Sequence, residues 1–345
     1  MDLPEFFGLD IGSSAIRVAQ VRYDSFGKPE ILAMAQVPLE NPIQNLKDPN
    51  IKDYLVQKII QAKNAAGIKT NKVVAALPEA MIFSKSTSVP NLAEDQIEQM
   101  LYYELKNHIP VNPSEVQKDY IPLGLDKNNP KLLRILLIAA PKNLVEIYID
   151  ILKGAGLEPM ALETETVAIS RIVGSTLEDS QAYLVADFGH KGVDICLLRN
   201  DKILFTQSIG TGSESLTKAL AADFNLSPQQ ADQYKIKVGL LKDQAEGKVL
   251  RSLNPIMHVI INEINKLVNY FKTTIPEDTP KQIFLVGEGA KLPGLEAYVS
   301  ENLFIPCYKI DPVQKISMPS KYRNEFAQLT TIGFTVAVGL AMKIE

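Results

Sequence analysis

Two segments far apart in the chain place an acid, one apolar residue and a glycine at the same spacing. The first is Gly8-Leu9-Asp10-Ile11-Gly12-Ser13-Ser14-Ala15-Ile16-Arg17-Val18. The second is Leu184-Val185-Ala186-Asp187-Phe188-Gly189-His190-Lys191-Gly192-Val193-Asp194-Ile195. Each reads as a β-hairpin with an acid at the end of its first strand. Glycine lets the backbone turn sharply and aim its N–H groups at a phosphate. The acid does not bind phosphate itself. It can hold Mg2+ directly or through water, or orient a water molecule. Two such hairpins facing each other would clamp a nucleotide from both sides.

The surrounding pattern supplies elements to carry them. Strand-like runs cover Phe6–Asp10, Ile16–Tyr23 and Ile31–Pro38, followed by a loop over Pro42–Pro49. Apolar residues Ile51, Leu55, Ile59 and Ala62 predict a helix ending at Gly67, then a buried strand Lys72–Leu77. A different unit follows: a strand Met81–Val89, a helix from Asn91 or Ala93 to about His108, strands Val116–Leu123 and Lys131–Ala139 around a turn Asp126–Pro130, and a helix Asn143–Gly154. Pro159–Leu162 and a helix Thr164–Val173 return to the first unit. The second half restarts the pattern with Gln181–Asp187, Val193–Arg199 and Lys202–Ile209. Helices Ser213–Phe224, one capped by Ser227, Leu253–Thr273, Gly294–Asn302 and Thr331–Lys343 complete it, with a strand Lys281–Val286 and a closing strand at Tyr308–Ile310.

Composition narrows the function classes. The 345 residues are 46% hydrophobic and 22% charged, with a formal net charge of −4. That length accommodates two domains, and that charge disfavours a broad basic face for nucleic acid, so no nucleic-acid partner is expected. Two cysteines, Cys196 and Cys307, suit a reducing compartment. The three histidines are scattered and suggest no metal cluster. Residues 132–140 and Thr331–Met342 are too short to span a bilayer, and Met1–Glu5 lacks the basic start of a signal peptide. A cytoplasmic protein is expected, which leaves room for a peripheral place at the inner face of the cytoplasmic membrane through partners.

Five segments in order resemble the nucleotide site of the actin, Hsp70 and sugar-kinase superfamily. Gly8–Val18 and Leu184–Leu197 resemble its two phosphate loops, Leu162–Ala168 its first connecting helix, Phe284–Leu295 its adenosine loop and Thr331–Met342 its second connecting helix. Within that superfamily the opening Gly-Leu-Asp-Ile-Gly-Ser-Ser-Ala-Ile-Arg and the run Ala290-Lys291-Leu292-Pro293-Gly294-Leu295 are similar to the PilM family of the type IV pilus inner-membrane platform. The strand-helix-strand-strand insertion resembles the SHS2 subdomain that PilM shares with the cell-division protein FtsA. The resemblance implies an α/β, two-lobed actin-like ATPase fold of duplicated ribonuclease H-like domains. Its expected divisions are 1–81, 156–180 and 326–345 for the first domain (1A), 82–155 for the insertion (1C), and 181–325 for the second (2A, with 2B at about 225–280).

It also implies roles. Asp10 and Asp187 become the acids that hold Mg2+ beside ATP or ADP. Gly12, Ser13 and Ser14 would offer N–H groups and hydroxyls to phosphate, and Arg17 either reaches the phosphates or lies on the surface. Gly189 and His190 would cradle the terminal phosphates. The turn His190-Lys191-Gly192 lacks the family's hydroxyls, which puts hydrolysis in doubt more than binding. Lys191 either adds charge beside phosphate or points to solvent. Glu165 matches the acid that positions attacking water, and equally a helix N-terminal acid favoured by the dipole. Asp187 shares the tentative catalytic assignment. Gly210 and Gly212 match a loop approaching the nucleotide. Asp232 and Lys235 match contacts to ribose and base, or form a surface ion pair. Gly287, Glu288, Gly289 and Ala290 form the adenosine loop, where Glu288 replaces the usual middle glycine and either crowds the pocket or bonds the nucleotide.

The implied function is a nucleotide-binding scaffold that grips the N-terminal cytoplasmic tail of a PilN-like single-pass membrane protein, contacts other pilus platform and motor proteins, and hydrolyses ATP slowly or not at all. Self-association is compatible with it. The docking groove is expected between the first subdomain and the 82–155 insertion, whose helix carries Ile97, Leu101 and Leu105 on one face and Met100, Tyr102 and Tyr103 on others. An FtsA-like filament-forming adaptor is the alternative. It is disfavoured because Lys343-Ile344-Glu345 directly follow the last helix, with no amphipathic tail expected. A sugar-kinase-like phosphotransferase lacks an evident sugar-binding region.

Overall fold

The computed structural model describes residues 6–40, 43, 45–92, 94–108, 112–126, 129–174, 181–199, 202–318 and 331–344. Its β-strands form two five-stranded sheets of the same order and a smaller third sheet. In the first sheet, β1 (Phe7–Ile11), β2 (Ala15–Tyr23) and β3 (Pro29–Pro38) run antiparallel, and β4 (Lys72–Leu77) and β8 (Glu158–Thr164) add in parallel to give β3-β2-β1-β4-β8. In the second, β9 (Tyr183–Phe188), β10 (Val193–Arg199) and β11 (Lys202–Ile209) run antiparallel, and β12 (Gln282–Val286) and β13 (Cys307–Lys309) add in parallel, giving β11-β10-β9-β12-β13. The restart read in the sequence is a duplication of sheet topology. The closing strand lies at Cys307–Lys309 rather than Tyr308–Ile310.

Both sheets are covered on both faces, which is why their central strands are apolar at nearly every position. On β9, Leu184, Ala186 and Phe188 face one core while Tyr183 and Val185 face the other. The outer face of the first sheet buries α1 (Pro49–Ala65) and α3 (Lys142–Gly154) through Leu55, Ile59, Leu144, Tyr148 and Ile151. The outer face of the second buries α5 (Ser213–Phe224), α7 (Lys248–Thr274) and α8 (Leu295–Leu303). Between the sheets lie α4 (Glu165–Gly174) and the C-terminal helix Thr335–Ala341. These two helices pack so closely that a Cβ on Gly339 would stand 2.0 Å from the Ala168 carbonyl oxygen, and one on Gly8 would stand 2.1 Å from that of Ala337. That proximity keeps the hairpin of β1 and β2 seated on the C-terminal helix.

The third sheet, β5-β7-β6, is built from β5 (Phe83–Pro90), β6 (Val116–Leu125) and β7 (Leu132–Pro141), with α2 (Glu94–His108) packed on it. Ile97, Leu101 and Leu105 join Val89, Ile135 and Leu137 in a separate small core. The sheet also leans on the second lobe: Ser84 of β5 hydrogen-bonds Thr206 of β11, and Arg134 of β7 lies 3.8 Å from the Asp278 carboxylate.

Two expectations need adjustment. Pro49 is not loop but the first residue of α1, where proline's fixed φ suits an unbonded N–H position, and Asp48 caps the helix by accepting from Asn50 N–H at 2.9 Å. The last helix begins as a 3-10 turn, Thr331–Phe334. Ser227 caps α6 (Pro228–Lys237) in a full capping box with Gln230, as its sequence spacing implies. Ala93, Pro42 and residues 127–128, named in the sequence reading, lie outside the described residues. Among the described residues no helix is long and apolar enough to cross a membrane.

Candidate functional site

The two hairpins present their acids differently. On β1 and β2, Asp10 stands directly opposite Arg17 in the antiparallel register. On β9 and β10, Asp187 stands directly opposite Asp194. The turns between them, Gly12–Ser14 and Gly189–Gly192, are half-buried except for Lys191. The expected strand alternation left Arg17 either at phosphate or on the surface; it is 5% exposed and points inward. Its Nη1 lies 3.7 Å from Asp10 Oδ2, and its Nε donates to Gln36 Oε1 at 3.0 Å. Its Nη2 pairs with Glu288 of the second lobe.

Glu165 opens α4, between the sheets, and its Oε2 accepts the Glu79 N–H at 2.9 Å. Glu79 sits in the 3-10 turn Glu79–Met81 just beyond β4, and its Oε2 accepts the Thr166 hydroxyl at 2.9 Å. Sequence reasoning singled out neither Glu79 nor Asp194 as a site residue. A signal existed for Glu79, because β4 runs parallel to β1, and groups just past the carboxyl ends of parallel strands line a common crevice.

Five carboxylates thus converge: Asp10, Glu79, Glu165, Asp187 and Asp194. Burial pushes Asp10 up to about 6 despite the opposing guanidinium of Arg17. Burial, then the charges of Asp194 and Asp10, push Asp187 up to about 7. Asp194 rises to about 6 through burial, offset by the Ser208 hydroxyl it accepts and raised further by Glu79. Glu165 lies well above the usual carboxylate range through burial and the charges of Asp194 and Asp10. Asp187, Asp194 and Glu165 retain partial exposure and are half-buried. Protein nevertheless surrounds them on most sides, so desolvation dominates.

The remaining candidates surround this cluster. Gly212 caps α5 so tightly against the second turn that a Cβ there would lie 2.5 Å from Gly192 N, while one on Gly210 would meet nothing within 4 Å. The Ser213 N–H donates to Gly189 O at 3.1 Å, and the Glu214 N–H to His190 O at 2.8 Å. Burial, with Lys235 and Lys191, holds the His190 imidazole below its usual range against the pull of Glu214 and Asp232. Lys235 is no surface residue: it is 7% exposed, pairs with Asp232 at 2.6 Å and donates to the Ser213 and Thr217 hydroxyls at 2.8 and 2.7 Å. Lys191 is exposed, and its Nζ donates to Ile43 O at 2.7 Å, tying the second hairpin to the first lobe.

The loop expected to meet adenosine, residues 287–290, lies flush on the second hairpin. Gly287 has φ 81°, and a Cβ there would stand 1.8 Å from Asp187 Oδ1, so only glycine permits this approach. A Cβ on Gly289 would lie 2.7 Å from Phe188 O, and Ala290 is buried. Glu288 carries the link to Arg17 and a second ion pair with Lys291 at 3.1 Å. Burial works against its charge, and Arg17 and Lys291 outweigh it, holding the carboxyl below its usual range.

These groups fit a phosphate-bound divalent cation. The acids raise one another's proton affinity, which a cation would relieve, and the glycine-rich turns offer backbone N–H groups beside them. Among the described residues no group of three or more His, Cys, Asp or Glu side chains forms a ready metal cage. A hard cation that retains water and takes phosphate oxygens matches that arrangement better than a wholly protein-ligated one.

Two lobes of matching strand order, with a hairpin of each lining one cleft, define the actin-like ATPase class of fold. A family model for the type IV pilus assembly protein PilM matches residues 8–345. The chain belongs to that family. It is similar over 98% of its length, and 98% of the other chain's, to a solved PilM-PilN type IV pilus biogenesis complex, at 25% identity and a TM-score of 0.86. The fold is shared with the ethanolamine utilization protein EutJ from Carboxydothermus hydrogenoformans, at 16% identity and TM-score 0.58 over 99% of this chain and 90% of that one. It is shared too with MreB5 of Spiroplasma citri bound to ADP, at 13% identity and TM-score 0.51 over 89% of this chain and 92% of that one.

Proposed function

We propose that this type IV pilus assembly protein is a nucleotide-binding scaffold. It holds ATP with Mg2+ in the cleft between its lobes and grips the N-terminal cytoplasmic tail of a PilN-like membrane protein. The observation that carries the nucleotide half is the meeting of Asp10 and Asp187, one from each hairpin, close enough that the Asp10 charge raises Asp187 and both raise Glu165. In this reading Asp10 and Asp187 hold Mg2+ through water and phosphate. The N–H groups of Gly12, Ser13, Ser14 and His190 take the phosphate oxygens, while Gly189, whose own N–H closes the turn onto Gly192 O at 2.9 Å, lets the backbone come close to them. Gly210, Gly212, Asp232, Lys235 and the 287–290 loop wall the nucleoside. Mg2+ supplies the countercharge for the polyphosphate.

The reading favours order over turnover. The second turn offers no side-chain hydroxyl to a terminal phosphate, and its one flexible cation, Lys191, is engaged with Ile43. Glu165 and Asp187 both hold their protons more tightly than ordinary carboxylates, although a base of that affinity could still order water. Bound nucleotide stabilises the closed form by mass action.

The partner half rests on the family match, the similarity to a PilM-PilN complex and the insertion itself. Ile97, Leu101 and Leu105 are spent on the insertion's own core, while Tyr102 and Tyr103 stand exposed with ring centroids 5.8 Å apart, edge to face. Amphipathic aromatics of this kind anchor a short apolar peptide with little loss of side-chain entropy. Membrane association then comes through the partner.

The test is titration of a labelled synthetic peptide, the cytoplasmic N-terminus of the PilN-like protein from the same organism, with ATP and Mg2+ present. Saturable binding weakened by Tyr102→Ala and Tyr103→Ala is expected, with ATP turnover far below one per second. No peptide binding together with turnover of about 1–1000 per second would make the chain an enzyme rather than a scaffold.

A further inference from the structure

We propose that Glu288 is a built-in anion that occupies Arg17 in place of a nucleotide phosphate, so that an entering polyphosphate must displace it. The proposal rests on the nucleotide reading above and concerns how tightly this chain holds its ligand. Arg17 is the guanidinium beneath the first phosphate turn: a Cβ on Gly12 would stand 3.3 Å from its Nη1. It is fixed there. Gln36 takes its Nε, Asp10 lies 3.7 Å from Nη1, and a Cβ on Gly333 would meet its Nε at 3.2 Å. A side chain pinned on three sides cannot swing away to another partner. Its remaining face, Nη2, is taken by the carboxylate of Glu288.

Glu288 arrives from the other lobe. It lies at the start of the 3-10 turn Glu288–Lys291, and its side chain is 41% exposed, so it can be moved where Arg17 cannot. The ion pair therefore does two things. It places a negative group on the cation nearest the first phosphate turn, and it bridges first and second lobes without a ligand. Lys191 reaching Ile43 adds a second bridge across the same cleft. Glycine or glutamine at 288 would leave Arg17 and Lys291 without this anion and remove one negative charge from a cleft that already holds five carboxylates. A triphosphate would then meet less repulsion and a free guanidinium. A charge-assisted contact is stronger than a neutral one, so the gain should be about tenfold in affinity.

Charge must be separated from space, since a shorter residue also opens the loop. Glu288→Gln keeps the volume and removes the charge; Glu288→Gly removes both. The experiment measures ATP–Mg2+ and adenosine affinity by calorimetry for the wild type, both variants and the double variant Arg17→Ala/Glu288→Gln. Hydrogen exchange of the 12–14 and 287–291 turns is followed without nucleotide. Expected is about tenfold tighter ATP binding in both single variants, a clearly smaller change in adenosine binding, loss of the gain in the double variant, and faster exchange in both turns. ATP affinity that is unchanged or weaker in both variants overturns the proposal while leaving the nucleotide reading intact. An equal gain for adenosine also overturns it, because space rather than charge would then set affinity. Binding by the variants but not the wild type supports it in its strongest form. Absence of ATP binding in every chain overturns both the proposal and the reading beneath it.

Discussion

Arg17 and Asp194 occupy the same place in the two duplicated hairpins, each directly across the strand pair from its hairpin's acid. One lobe pairs Asp10 with a cation and the other sets Asp187 against a second carboxylate. The cluster is therefore electrostatically lopsided, and an added cation would relieve the second hairpin more than the first. Asp187 accordingly rises to about 7 while Asp10 rises to about 6.

Neutralising Asp187 should separate stability from binding. Asp187→Asn removes a charge that its neighbours disfavour, so the nucleotide-free protein should be stabilised by on the order of 1 kcal/mol near pH 8. The double variant Asp10→Asn/Asp187→Asn should lose Mg2+-dependent nucleotide binding. Calorimetric melting and nucleotide titration of the same samples check this. Loss of binding accompanied by a lower apo melting midpoint would mean the acids hold the fold rather than the ligand.

The same cluster sets a pH dependence. Asp10, Asp187, Asp194, Glu79 and Glu165 all have raised proton affinity in the folded state, facing Arg17, Tyr148 and Cys196 from the neighbouring elements. A carboxyl raised above its unfolded value contributes stability that is complete below the unfolded pKa, about 4, and lost as pH rises through the folded one. His190, held low, opposes this with a single group. Between about pH 5 and pH 8 the nucleotide-free protein should thus become less stable, and Mg2+ with ATP should restore most of the loss at the upper end. A midpoint that climbs steadily over that range without ligand contradicts the cluster's assigned protonation.

Glu79 offers a more local check. It is 3% exposed and accepts the Thr166 hydroxyl. Glu79→Gln keeps an acceptor and sheds a disfavoured charge, so its melting midpoint should match or exceed that of the wild type. Glu79→Ala removes that acceptor, leaving the Thr166 hydroxyl only its 3.1 Å contact with Thr164, and should cost about 1–3 kcal/mol, read by denaturant unfolding.

Much of this arrangement is legible in the sequence because its signals are local. Asp10-Ile11-Gly12 and Asp187-Phe188-Gly189 lie within single hairpins, and the capping box at Ser227 spans four residues. Period-two and period-3.6 patterns locate the strands and helices for the same reason. The rest depends on separations no local pattern encodes. Arg17 finds Glu288 across 271 residues, and Glu79 finds Glu165 across 86. Glu288 reads as a crowded glycine position until its partner is seen. Lys235 reads either as a contact to the nucleoside or as half of a surface pair, because a helix face alone does not reveal that it bonds Ser213 and Thr217 of α5.

The insertion's core should be separable from the cleft. Leu101→Ala and Leu105→Ala each open a cavity among Ile97, Val116, Ile135 and Leu137 and should cost about 2–5 kcal/mol. Peptide binding should weaken in both, while ATP affinity stays near wild type, since neither side chain approaches the carboxylates. Parallel titrations of peptide and nucleotide read the two effects. Equal loss of both ligands would show that the insertion and the cleft fold as one unit.

Calorimetric titration of the intact chain with ATP in excess Mg2+, set against ATP in chelator and against Asp10→Asn/Asp187→Asn, bears most directly on the cleft between the hairpins. One site per chain is expected, saturating below millimolar ATP, dependent on Mg2+ and absent from the double variant. Heat that is absent at millimolar ATP, or unchanged by chelator and by loss of both acids, would contradict a nucleotide held between Asp10 and Asp187.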